Sequence, residues 1–155
     1  MVTLTDARQQ FIGHLKGKGR SSATILAYSK DIEQLVDLLT SKNITNPKEV
    51  ALEDLRAFMN KLAKENYTTK SISRKTNSVR TFFRFLQFSN LTPDNPSTQL
   101  EHPHLESKPP RILAKLEYRA LRDAARADAR SLAIIELLLQ TGIRISELSK
   151  ITLDD

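Results

Sequence analysis

The sequence contains no cysteine among its 155 residues. This absence excludes disulfide bonds and thiolate metal sites, and it is compatible with a reducing cytosol. No apolar run is long enough to span a membrane, because Glu136 interrupts the longest one. The first ten residues, MVTLTDARQQ, lack the apolar core of a signal peptide. We therefore expect a cytoplasmic protein that has no membrane partner.

Acidic residues are absent from one part of a chain that is basic as a whole. The sequence has 24 Lys and Arg residues against 18 Asp and Glu residues, a net charge of +6, which favours polyanionic partners. Between Asn66 and Asn90 no acidic residue occurs, and this segment contains Lys70, Arg74, Lys75, Arg80 and Arg84. A run of like charges is usually a solvated surface. The alternative is a surface that binds a polyanion.

Prolines are nearly confined to one segment. All but Pro47 lie between residues 91 and 111, which predicts a linker. We therefore predict three parts: a helical domain over residues 1–92, a proline-rich linker over 93–111, and the truncated start of a second domain over 112–155.

Apolar residues before the linker recur at the spacing of amphipathic helices. Three stripes cover residues 4–15, 25–39 and 52–62, and a fourth predicted helix covers about 69–88. Gly17 and Gly19 separate the first helix from the second. No alternating strand pattern occurs, so the sequence predicts an all-α protein whose first domain is a four-helix bundle.

The fourth predicted helix has an apolar face and a basic face. At about 100° per residue, one arc of the helix contains Ile72, Val79, Phe82, Phe83 and Leu86. The opposite arc contains Lys70, Arg74, Arg80 and Arg84. Phe82 and Phe83 are therefore predicted core residues, whereas Phe85 and Phe88 are predicted to meet a neighbouring element. The basic face suits phosphates or the major groove of DNA.

Two further hydroxyl groups lie in the second predicted helix. Thr24 is close to the helix start, where its hydroxyl and the free backbone amides could bind a phosphate or merely cap the helix. Tyr28 lies on the apolar stripe, which favours a core ring with its hydroxyl at the rim.

His102 and His104 stand between Glu101 and Glu106 in the predicted linker. These side chains could serve as metal ligands, but no helix fixes a third ligand beside the two histidines. Two such histidines around a proline are more often exposed loop residues, so we assign no metal.

The C-terminal segment LLLQTGIRISELSKITLDD places one arginine at a glycine corner. Leu132 to Leu139 predicts a buried helix, Gly142 supplies the turn after it, and Ser146 is a candidate cap for the next helix. Arg144 would present a planar fork of donors to two oxygens of a phosphate, with Glu147 holding the guanidinium from behind. The alternative is an ordinary helical corner with a solvated arginine.

This corner also carries a family resemblance. The motif T-G-x-R-x-x-E-L, here Thr141, Gly142, Arg144, Glu147 and Leu148, resembles the first catalytic box of the tyrosine recombinases, also called phage integrases. The resemblance covers nearly the whole chain, through the S-x-T-x-x-x-Y-x-x-D pattern at Ser22, Thr24, Tyr28 and Asp31, the segment SISRKTNSVRTFFRFL, and Asn95-Pro96.

The resemblance implies a SAM-like core-binding domain followed by the start of a catalytic domain. In that family the second and fourth helices of the first domain face the DNA major groove. The implied DNA contacts are Thr24, Tyr28, Lys70, Arg74, Lys75, Arg80 and Arg84. Arg144 would be the first of two arginines that hold the scissile phosphate, and Glu147 would support it.

In the chemistry that the resemblance implies, a tyrosine attacks the scissile phosphate and forms a protein-DNA ester, while arginines stabilise the developing charge. It implies no metal and no cofactor. The expected partners are double-stranded DNA and other recombinase protomers, and the expected location is the nucleoid when DNA is bound.

The tyrosine nucleophile of the family follows the first box, but the eleven residues after Arg144 contain no tyrosine. We therefore expect a fragment that is not catalytically complete, similar to Xer-type and transposon recombinases because the bundle begins at the N-terminus. Whether the chain is itself an enzyme stays open. Two alternatives also stay open: a noncatalytic helical DNA-binding regulator, and a helical module that binds an acidic protein.

Overall fold

The computed structural model describes residues 2–104 and 109–152. The chain divides after residue 106 into two compact units. The first unit contains α1 (Leu4–Gly17), α2 (Ser22–Ser41), α3 (Leu52–Lys64) and α4 (Thr69–Phe88), with short 3₁₀ helices at Pro47–Glu49 and Pro96–Gln99. The second unit contains α5 (Lys115–Ala125), α6 (Ala129–Thr141) and α7 (Ile145–Leu148). Within the described residues every regular element is helical, which confirms the all-α prediction.

Three of the four α-helices of the first unit begin at polar caps. The hydroxyl groups of Thr3, Ser21 and Thr68 accept hydrogen bonds from backbone amides in the first turns of α1, α2 and α4. Such caps satisfy amides that have no carbonyl partner inside the helix. The links after α2, α3 and α4 turn at Asn43, Asn66 and Asn90, which all have positive φ. Asparagine tolerates this left-handed conformation better than most residues do.

The core of the first unit is centred on α4. Val79, Phe82, Phe83 and Leu86 are fully buried. The Phe82 ring meets Phe11 of α1 edge to face at 5.3 Å between centroids. The predicted core positions of Phe82 and Phe83 are therefore confirmed.

The other two phenylalanines of α4 differ from each other. Phe85 is buried and its ring lies 5.5 Å from Phe11 and 5.0 Å from His14, which confirms the predicted contact with a neighbouring element. The same prediction for Phe88 is wrong, because 80% of this residue is exposed. It lies at the last turn of α4, on the solvent-exposed edge of the bundle.

Residues after α4 continue to pack on the bundle. Ser97 and Leu100 are buried, and Leu100 belongs to the same hydrophobic cluster as Phe82. Arg80 Nη2 donates to the carbonyl oxygen of Thr98 at 3.2 Å. The first part of the proline-rich segment therefore belongs structurally to the first unit.

The second unit pairs α5 with α6, and Arg122 Nε donates to the Glu136 carboxylate between them. The predicted helix over Leu132 to Leu139 is present, but its predicted burial is wrong: α5 and the short α7 pack against α6, and no described residue of α6 is buried. The predicted cap at Ser146 is also wrong, because α7 starts at Ile145 with Arg144 in the cap position. None of the helices in the described ranges has the length and apolarity that a membrane span requires.

Candidate nucleic-acid interface

The surface of α4 opposite the core is basic. We call the exposed residues Lys70, Arg74, Asn77 and Arg84 the basic stripe. Successive members are four, three and seven residues apart, so they lie on one side of the helix. Lys70 and Arg84 have no ion-pair or hydrogen-bond partner among the described residues. The stripe therefore presents positive charge together with the neutral donors of Asn77.

A buried carboxylate from α2 contacts one member of the basic stripe. Asp31 is 1% exposed. Its Oδ2 and Oδ1 accept hydrogen bonds from Arg74 Nη1 at 2.5 Å and Arg74 Nη2 at 2.9 Å. Nearly half of the Arg74 side chain, 47%, stays exposed. Arg74 thus pairs with the interior on one side and faces solvent on the other.

The structure places Lys75 inside the bundle and away from the basic stripe. Its Nζ donates to Asp31 Oδ1 at 2.9 Å and to Gln34 Oε1 at 2.5 Å, and it lies 5.2 Å from the centre of the Tyr67 ring. Only 6% of the side chain is exposed. Five residues after Lys70, at about 100° per residue, Lys75 falls within the arc of the apolar face. The helical spacing could therefore have separated it from the exposed cations.

Arg80 lies beside the stripe and is half-buried. Its guanidinium is engaged with the carbonyl oxygen of Thr98 at 3.2 Å. This contact ties the segment after α4 to the helix, so the side chain has a structural partner that Lys70 and Arg84 lack.

The start of α2 is near the C-terminal half of α4. Ser21 Oγ accepts from the Thr24 amide at 3.2 Å and lies 2.8 Å from Thr24 Oγ1, so Thr24 is in the first turn and Ser21 is the cap. Tyr28 is half-buried and stacks on Phe11 with 6.4 Å between ring centroids. No acidic residue occurs in the first turn of α2.

A groove of about 320 Å³ joins the ends of α1, α2 and α4. It brings together three residues that the sequence predicted as DNA contacts, namely Thr24, Tyr28 and Arg84. Lys18 and Arg20 also line it, and neither was predicted. A sequence signal for them exists, because residues 7–30 contain no Asp or Glu. We call this feature the cationic groove; Lys70 and Arg80 do not line it.

The predicted arginine corner lies in the second unit. Gly142 follows α6 with φ of 67°, a left-handed conformation that suits glycine. Arg144 Nη1 donates to Glu147 Oε1 at 3.0 Å, and the Arg144 backbone amide donates to Glu147 Oε2 at 2.7 Å. The Arg144 side chain is 81% exposed. The corner thus presents a guanidinium held by one carboxylate, with its remaining donors open to solvent.

The two histidines of the predicted linker show no shared site. His102 Nδ1 lies 3.5 Å from Ser73 Oγ at the end of the first unit. Across residues 2–104 and 109–152, no group of three or more His, Asp or Glu side chains is arranged to hold a metal ion.

The sequence of the first unit matches a known domain family. Residues 9–88 match the phage integrase N-terminal SAM-like domain. The tyrosine recombinase XerC of Chromobacterium violaceum is 33% identical over 156 residues, covering 98% of this chain and 51% of that protein. XerC of Roseiflexus sp. (strain RS-1) is 30% identical over 158 residues, covering 98% of this chain and 50% of the relative. The chain spans about half the length of the curated relatives it matches.

Solved structures show the same fold. A lambda integrase dimer bound to a COC' core site covers 99% of this chain with a TM-score of 0.75 and 19% identity, and the chain covers 43% of that protein. The XerA recombinase covers 97% of this chain with a TM-score of 0.51 and 26% identity, and the chain covers 51% of it. With its helical bundle, its basic α4 and its match over residues 9–88, the chain belongs to the phage integrase family of tyrosine recombinases.

Proposed function

We propose that this chain is the DNA-binding part of a site-specific tyrosine recombinase that cuts and rejoins DNA through a phosphotyrosyl intermediate. The observation that carries the proposal is the basic stripe: Lys70, Arg74 and Arg84 lie exposed on one side of α4 in a segment without acidic residues. Cations on an exposed helix face suit the phosphates that border the major groove.

The cationic groove extends this surface to α1 and α2. Lys18, Arg20 and Arg84 supply charge, and Thr24 supplies a hydroxyl in a helix start that lacks acidic residues. Amides at a helix start and nearby cations together favour phosphate oxygens. The related lambda integrase is bound to a core site as a dimer. We propose duplex DNA and further recombinase protomers as partners of the protein that carries this chain, and a location at the nucleoid in the cytoplasm.

The candidate contacts differ in what they can offer DNA. Lys70 and Arg84 are exposed, and Thr24 and Tyr28 line the cationic groove, so we propose these four residues as direct contacts. Arg80 is proposed as a contact that also holds the segment after α4. Lys75 is assigned an internal role, because its ammonium group is buried against Asp31 and Gln34. A buried and paired charge cannot release a counterion from a phosphate.

We propose that Arg144 binds the scissile phosphate and that Glu147 orients it. A guanidinium presents planar donors that match two oxygens of one phosphate. The carboxylate of Glu147 engages one nitrogen, and the exposed remainder of the guanidinium is free for the substrate. In the transition state this group would stabilise the charge on the nonbridging oxygens.

We propose two functional domains. The DNA-reading domain consists of the predicted residues 1–92 together with the buried segment through Leu100, and the catalytic part starts with α5. Proline content places the end of the first domain at residue 92. Ser97 and Leu100 are buried, which supports an end of this domain after Leu100.

The proposal is tested by charge removal in the 155-residue chain. Binding to a short mixed-sequence duplex is measured by fluorescence anisotropy at several salt concentrations. K70A/R84A should weaken binding and lower the slope of log affinity against log salt by about two, since each phosphate contact contributes about 0.9. The matched control is R56A/K64A, which removes two exposed cations of α3.

If K70A/R84A and R56A/K64A have the same slope of log affinity against log salt, the proposed interface is contradicted. Absence of measurable binding by the unaltered chain at low salt would contradict DNA binding itself and would favour a protein-interaction module.

A further inference from the structure

Within the described residues the Asp31 carboxylate of α2 accepts four hydrogen bonds, and all four come from α4. Arg74 Nη1 and Nη2 donate at 2.5 and 2.9 Å, Lys75 Nζ at 2.9 Å and Ser78 Oγ at 2.7 Å. An ionised carboxylate has about four acceptor sites, so α4 fills the hydrogen-bonding capacity of Asp31. The carboxylate is 1% exposed, and this cluster fixes α2 and α4 to each other.

The charges of the cluster do not cancel. One carboxylate faces two cations, which leaves a net charge of +1 on Asp31, Arg74 and Lys75 together. Lys75 is the buried cation, whereas the Arg74 side chain is 47% exposed. With Asp31 and Arg74 alone, the pair would be neutral and its attraction for phosphates small. The buried ammonium of Lys75 therefore preserves a positive surface at Arg74.

The pairing also orders Arg74. Two parallel N–H···O bonds fix the plane of a guanidinium more firmly than one bond does. Two of the five N–H donors are used, and three remain for a ligand. A long side chain that is already ordered loses less conformational entropy when it binds.

From this arrangement we infer that Asp31 is a positioning residue for DNA binding: it holds the Arg74 guanidinium in one orientation on the basic stripe, while Lys75 compensates its charge. The inference rests on the proposed function. Asp31 itself does not reach the DNA, because it is buried beneath Arg74 and Lys75.

The test removes the positioning without altering net charge. In D31N/K75M a neutral amide replaces the carboxylate and a neutral thioether replaces the buried ammonium. The cluster therefore keeps its net charge of +1, which Arg74 alone carries. We expect this variant of the 155-residue chain to bind a mixed-sequence duplex about 2- to 10-fold more weakly, the range for the ordering of one long side chain. The variants are compared at equal salt, and circular dichroism checks that each is folded.

The same pair of changes is then made in an R74A background. If Asp31 acts through Arg74, D31N/K75M/R74A should bind as R74A does, because no guanidinium remains to be positioned. A general structural role would weaken binding by the same factor in both backgrounds, and that result would overturn the inference. The comparison is a double-mutant cycle between the cluster and Arg74.

A surface variant gives an answer even where D31N/K75M is unfolded. R74K keeps the positive charge but loses the planar fork. We expect R74K to bind more weakly than the unaltered chain, because lysine cannot make the two parallel bonds that orient the guanidinium; affinity equal to that of the unaltered chain would overturn the inference. K70A/R84A could lower the slope of log affinity against log salt while R74K and D31N/K75M leave affinity unchanged. That result would support the proposed function and contradict the positioning role of Asp31. Absence of DNA binding by the unaltered chain would contradict both the proposed function and the role of Asp31.

Discussion

Glu147 accepts hydrogen bonds from two different groups of Arg144. Its Oε2 accepts from the backbone amide at 2.7 Å, and its Oε1 accepts from Nη1 at 3.0 Å. One carboxylate therefore fixes the backbone at the start of α7 and the guanidinium of the same residue. An acid three residues after a helix start commonly makes the backbone contact. The side-chain contact is the one on which the proposed role of Arg144 in phosphate binding depends.

The first prediction concerns Arg144 in a full-length recombinase that carries this chain. Arg144→Ala should lower the rate of cleavage of a cognate site at least about 100-fold, the cost of removing one preorganised donor to a developing negative charge. DNA binding should change little, because one contact among many is lost. Cleavage is measured as covalent protein-DNA product on a suicide substrate.

Arg119 provides the control for that experiment. It is exposed on α5 and has no ion-pair partner among the described residues. Arg119→Ala should cleave at the unaltered rate. Near-normal cleavage by Arg144→Ala would remove Arg144 from the catalytic site.

Helix positions could be read from the sequence because local signals agree. The predicted fourth helix and α4 share the bounds Thr69–Phe88. The apolar residues of α4 repeat at helical spacing, and Thr68 is a favourable cap immediately before it. The all-α class could be predicted from the same helical spacing, and the family from the sequence motifs. The burial of α6 could not be predicted from its apolar run, since burial depends on which other elements cover a helix.

The candidate interface was only partly predictable. Arg84 and Lys70 are exposed as their helical positions indicated, and the position of Lys75 within the apolar arc was the available signal for its burial; its partner Asp31, 44 residues earlier, could not be identified from local spacing. The cationic groove joins residues from three separate helices and the loop after α1, so no local pattern identifies it. Lys18 and Arg20 become part of a surface only through tertiary packing.

The second prediction compares two phenylalanines of the same helix. Phe82→Ala should reduce the free energy of unfolding by about 3–5 kcal/mol, because a fully buried ring is lost between Phe11 and Phe83. Phe88→Ala should change it by less than about 0.5 kcal/mol, because 80% of Phe88 is exposed. Urea unfolding followed by circular dichroism gives both values. Similar losses for the two variants would contradict the described packing.

The third prediction uses the cap of α1. The Thr3 hydroxyl donates to Asp6 Oδ2 at 2.7 Å and the Thr3 amide donates at 3.0 Å; these bonds lower the pKa of Asp6 below its ordinary value. A carboxyl group whose pKa is lower in the folded protein stabilises the fold above its ordinary pKa and loses this effect as the pH falls through the folded value.

Asp6→Asn should therefore melt at a lower temperature than the unaltered chain at neutral pH, and the difference should shrink as the solution is acidified below the ordinary pKa of a carboxyl group. Thr3→Ala removes the hydroxyl and should reproduce part of this pH dependence. Thermal unfolding is recorded over a series of pH values. A difference that stays constant from neutral to acid pH would show that the Asp6 charge is not the cause.

The last prediction tests the cationic groove separately from the basic stripe. Lys18 and Arg20 line the groove and have no ion-pair partner among the described residues. If DNA phosphates contact the groove, K18A/R20A should lower the slope of log affinity against log salt by about two. Lys30→Ala is the control, because Lys30 is an exposed cation of α2 outside the groove. If K18A/R20A keeps the unaltered slope while K70A/R84A lowers it, phosphates do not contact Lys18 and Arg20, and Arg84, which belongs to both surfaces, acts as part of the stripe.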